Sequence, residues 1–145
     1  MDLTEIMSEL PFVDHMGIEI TEAADGHAEG RLAFQDFHSS QPGRQLAHGG
    51  VTFALADTVG GAAVVSETYG PSPTVDMRID YLAPATTDLT ATGDVIRHGT
   101  STAVADVTVT DADDEAIAEV RGVYKAGDVP EGSAHEWGGD ETQSV

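Results

Sequence analysis

The chain has 145 residues, of which 40% are hydrophobic, enough for one domain with a sizeable core. Its 26 acidic side chains face only 6 Lys and Arg, for a formal net charge of −20, and that balance argues against nucleic-acid binding, which needs a basic patch. The absence of cysteine excludes disulfides and thiol nucleophiles.

The acids are spread along the chain, and Lys125 is the sole lysine. With abundant Ala, Thr and Val, the balance resembles the proteins of salt-in halophiles. At molar salt the screening length is about 3 Å, which removes most self-repulsion of such a surface. No apolar run reaches the roughly 18 residues of a membrane span. The first residues lack the basic-then-apolar pattern of a signal peptide, so a cytoplasmic location is expected.

In chain order, Leu3, Ile6, Met7 and Leu10 fall at helical spacing and predict a short lead-in helix over 1–11, ending at Pro11. Residues 17–24 and 27–34 read as two strands around Asp25-Gly26, a favoured hairpin dipeptide. Residues 35–46 are polar and turn-rich, hence a loop. Gly49 to about Tyr69 predicts the one long helix, closed by Gly70-Pro71. It is apolar or small on nearly every face, so other structure must wrap it. Gly60 and Gly61 each weaken it by about 1 kcal/mol relative to Ala, which implies close approach of another backbone or a ligand.

Four strands follow. In residues 74–81 Val75, Met77, Ile79 and Tyr81 alternate with Thr74, Asp76, Arg78 and Asp80. Residues 88–97 and 103–110 are strands, 111–115 a hairpin loop, and 117–125 the returning strand. The economical fold is α+β, a mainly antiparallel sheet of five to six strands around one helix. One domain over 1–126 and an acidic, disordered tail over 127–145 are expected, with Trp137 the tail's one large apolar group, left unpaired.

Asp57 is the anomaly. It lies too deep in the long helix to cap it or to meet its dipole. The segment HGGVTFALAD, His48 to Asp57, resembles the signature of the hotdog-fold acyl-CoA thioesterases, most closely the phenylacetic-acid-pathway type. VDMRIDYLAPA, Val75 to Ala85, is similar to that family's next strand with its closing proline, and the likeness runs from about Phe12 to Tyr124.

Thioester hydrolysis needs an attacking water or carboxylate and donors for the oxyanion. The free N–H groups of a helix start suit the oxyanion. The resemblance implies Gly49 as that donor and Asp57 as general base or nucleophile. Eight residues of helix rise about 12 Å, so Asp57 cannot reach a carbonyl held at Gly49 of its own chain. A homodimer with shared sites is therefore expected, and the resemblance adds pairing into a homotetramer. Thr74 matches a hydroxyl that in some members orients water, while a strand-end threonine reads equally well.

Some members carry Asn six residues before the His. Here Pro42 stands there, and Gln41 takes over its polar contact if the loop is one residue longer. His48 reads as a base or, as the resemblance implies, as a structural histidine bonded to backbone near the helix start, the second being favoured. Gly50 leaves room for a ligand beside Gly49. Coenzyme A enters as part of the substrate, with no separate cofactor and no metal. Its phosphates would draw on Arg78 or Arg97, with Arg44 and Arg121 as further candidates. The acyl group is open. Two other readings stand: a hotdog dehydratase or hydratase, which would place a His and a carboxylate at other spacing, and a non-catalytic acyl-CoA-binding module.

Overall fold

The computed structural model describes residues 2–127, so the expectations for the acidic tail and Trp137 lie outside the described residues. Two short helices open the chain where one was expected. α1 (Leu3–Ser8) starts with a capping box, Asp2 accepting from the Glu5 N–H and Glu5 from that of Asp2. α2 (Pro11–Met16) begins at the proline expected to end the lead-in. At a first helical position the missing N–H costs nothing and the fixed φ is already helical.

β1 (Ile18–Ala24) and β2 (His27–Leu32) form the expected hairpin. Asp25 and Gly26 both have positive φ, 53° and 80°, as a two-residue turn of matching twist requires. The following segment holds one 3-10 turn at Asp36–His38. His38 is fully buried, its Nε2 2.7 Å from the Met16 carbonyl and its Nδ1 accepting from the Gln35 N–H. Two backbone bonds then lead the chain inward: Ala47 N–H to Ala85 and His48 N–H to the His38 carbonyl.

α3 (Gly49–Thr68) is the long helix. Tyr69, not Gly70, takes the left-handed position that ends it, with φ 54°. By length and composition α3 is apolar enough to cross a membrane, contrary to the reading of the sequence. Its apolar surface is already used, since Leu55, Val59 and Val64 are fully buried. Each such side chain contributes about 1.5–3 kcal/mol.

β3 (Thr74–Tyr81), β4 (Leu89–His98), β5 (Thr102–Thr110) and β6 (Ala116–Lys125) complete one antiparallel sheet in the order β1-β2-β4-β5-β6-β3. The α+β hotdog arrangement expected from the sequence is thus present. Small inward residues let the helix sit close. Ala28 and Gly93 pair across β2 and β4, as do Gly30 and Ala91, and a Cβ on Gly30 would meet the Val59 side chain at 2.8 Å. β1 and β3 are the edges, and β3 is mostly exposed.

Candidate active site

The entry to α3 builds one half of the site. His48 is the N-cap, and its Nδ1 accepts the Gly50 N–H at 2.8 Å. The helix-start histidine thus orients the first turn and engages the Gly50 donor. The Gly49 N–H has no acceptor among the described residues. The Tyr81 hydroxyl, from the end of β3, donates to the Gly49 carbonyl at 2.7 Å. Burial raises the Tyr81 phenol above its ordinary range, so it stays a donor. Gly49, Thr52 and Tyr81 line an open cleft of about 440 Å³ with Leu46, Leu82 and Ile117.

The second half is at Asp57. Its side chain is half-buried, and one carboxylate oxygen accepts from the Thr74 hydroxyl at 2.7 Å. Strict alternation would have turned Thr74 outward with Asp76, Arg78 and Asp80. A register shift between Thr74 and Asp76 reverses this. Thr74 then lies opposite Tyr124 and faces the helix, while Val75 is left 60% exposed. The Tyr124 hydroxyl is 3.1 Å from the Asp57 carbonyl. Burial first, then the Asp57 charge, pushes that phenol far above its usual range.

Within one chain the structure joins Asp57 to Thr74 and Gly49 to Tyr81, but not one pair to the other. Gln41 is exposed and holds Arg44 through its Oε1 at 3.1 Å. It lines a neighbouring cleft with Phe34, Phe37 and Arg44, and Ser40 lines both clefts. Arg78 lies on the sheet face away from α3, paired with Asp80 at 3.4 Å, while its strand neighbours Met77 and Ile79 pack on the core. Arg121, opposite Arg78, grips Asp106 with two bonds. Arg97 is exposed and has no acidic partner among the described residues. Neither Arg78 nor Arg97 bonds to either hydroxyl-bonded pair in the single chain.

Tyr81 and Tyr124 are the residues that sequence reasoning missed. Tyr81 reads as an apolar member of an alternating strand, and Tyr124 only as part of the returning strand. The available signal was Gly60-Gly61, whose close protein neighbour is the Tyr124 ring rather than another backbone.

Residues 45–118 match the family model described as the thioesterase superfamily. A Halobacterium salinarum protein with a provisional esterase name is 35% identical over 109 residues, 72% of each chain. The E. coli PaaI protein from the phenylacetic acid degradation operon superimposes with a TM-score of 0.73 at 25% identity, covering 86% of this chain and 95% of that one. A hypothetical thioesterase from Streptococcus pneumoniae, solved with coenzyme A, gives 0.67 at 26% identity over 76% and 86%.

Proposed function

The chain belongs to the thioesterase superfamily, and on that premise we propose that it hydrolyses acyl-CoA thioesters to the free acid and coenzyme A. The observation that carries the reading is the Thr74–Asp57 hydrogen bond at 2.7 Å. A half-buried carboxylate so held is aimed for attack, either directly on the thioester carbonyl or by taking a proton from water. The Gly49 N–H, at a helix start, is the donor for the oxyanion that forms. His48 orients the loop, and Gly50 keeps the approach open. The water's proton ends on the leaving thiol, giving acid and free coenzyme A. Arg97, and Arg78 if it leaves Asp80, are the cations to which the nucleotide phosphates would turn.

The site is completed by a second subunit. Gly49 and Asp57 are tied, through Tyr81 and Thr74, to opposite ends of the same edge strand. β3 has one unpaired side and exposes Val75 and Tyr81, with Leu82 exposed just after it, 53–60% accessible each. Antiparallel pairing of β3 with its copy lays the Thr74 end of one subunit beside the Tyr81 end of the other. The pneumococcal structure with coenzyme A is consistent with this substrate class.

The experiment is thiol release from a panel of acyl-CoAs at molar salt, with Asp57→Ala alongside. Release at the parent's rate should fall by about 10³-fold or more in the variant at an unchanged fold. Binding without release would instead favour an acyl-CoA-binding module, and water addition or loss at the acyl chain would favour a hydratase or dehydratase.

A further inference from the structure

Tyr124 is the largest fully buried side chain among the described residues, 1% exposed, and it ends at Asp57. Two glycines clear its place. A Cβ on Gly60 would meet the hydroxyl at 2.4 Å and one on Gly122 the ring at 2.6 Å. Glycine weakens both helix and strand, so this notch is made at a cost that a smaller apolar side chain at position 124 would have avoided. Across the strand pair, Tyr124 is the direct neighbour of Thr74. Two hydroxyls on adjacent strands thus converge on one helical residue, Thr74 on its side chain and Tyr124 on its main chain.

We propose that Tyr124 is a positioning residue for the hydrolysis: its hydroxyl pins α3 at the Asp57 carbonyl so that Thr74, directly opposite on β3, holds the carboxylate in one rotamer. The proposal rests on the reading of Asp57 as the reacting carboxylate. A mid-helix carbonyl already accepts from the residue four places on, so the phenol is an added bond whose effect is on position. The raised ionisation range of Tyr124, to which the Asp57 charge contributes, keeps the phenol a donor under all working conditions.

Tyr124→Phe keeps the ring in its glycine notch and removes only the hydroxyl. The expected result is a kcat lowered about 5- to 20-fold, with KM within twofold of the parent and the melting temperature little changed. Thr74→Ala should show the same split. The double variant should lose less than the product of the two single effects, because the hydroxyls serve one residue. Retention of kcat within twofold in Tyr124→Phe would overturn the proposal. So would a loss of kcat that tracks a fall in melting temperature, or independent, multiplicative effects in the double variant. Asp57→Ala separates this from failure of the functional reading. If it keeps the parent's rate, that reading falls and the clamp with it; if it is inactive while Tyr124→Phe is fully active, the clamp alone falls.

Discussion

At the residue scale, space decides what propensity does not. Gly60 sits inside a buried helix, where Ala would ordinarily stabilise by about 1 kcal/mol. Its added Cβ would instead meet the Tyr124 hydroxyl at 2.4 Å and the Val107 side chain at 3.2 Å. Overpacking of that kind costs about 1–3 kcal/mol, so the crowding wins. Gly60→Ala is expected to lower stability in denaturant titration, and a gain would mean that the ring moves freely in its notch. Asp57 was legible from sequence because a carboxylate deep in an apolar helix lacks a local partner. Thr74 was legible only in part: its identity was plain, but its direction depends on a bulge that no alternation pattern reveals. The tyrosines were illegible as site residues because their rings behave as core and only their hydroxyls act, at 32 and 67 residues' separation from Gly49 and Asp57.

At the scale of elements, periodicity was a good guide to the strands and the long helix, since each buries one face or all of it. The start of the chain was misread because Pro11 can end one helix or begin another, and only the packing of α2 on β1 selects. The hairpin β1–β2 carries a testable charge pair of its own. His27 Nδ1 lies 2.7 Å from Asp94 of β4 and its Nε2 3.4 Å from Glu29. The bond to Asp94 raises the His27 pKa above its ordinary 6.5, against the opposing effect of burial. A raised pKa means that the folded state binds the proton more tightly than the unfolded chain. The contribution is complete below about pH 6.5 and fades as pH rises through the folded value. The partner is 63% exposed, so screening leaves the effect small. The melting-temperature difference between the parent and Asp94→Asn should therefore shrink steadily as pH rises above 6.5 at low salt, and should be nearly flat with pH at molar salt.

At the scale of the whole molecule, the net charge of −20 is set against few attractive pairs. Arg31–Glu19, Arg78–Asp80 and Arg121–Asp106 are exposed, worth about 0–1 kcal/mol each, and cannot offset that repulsion. Moving from dilute buffer to molar potassium chloride should raise the melting temperature, each kcal/mol of repulsion removed giving about 2–4 °C. An unchanged value would mean that the acids are far enough apart to ignore one another. Assembly at the same high salt gives the more demanding test. Gly49→Pro removes the proposed oxyanion donor at a first helical position, where proline is accommodated, and the extended His48 before it, at φ −58° and ψ 140°, suits a following proline. Asp57→Ala removes the carboxylate. Each variant alone should be inactive, because every site in its dimer lacks one of the two groups. Refolded together in equal amounts, half of the dimers would be mixed. In each mixed dimer one site carries both lesions, and the other joins an intact Gly49 to an intact Asp57. Activity should return to about a quarter of the parent's, the fraction set by two-fold symmetry alone. If the two groups served one chain's own site, mixing would restore nothing, and the 12 Å or so of helix between Gly49 and Asp57 would have to be closed by movement within the subunit.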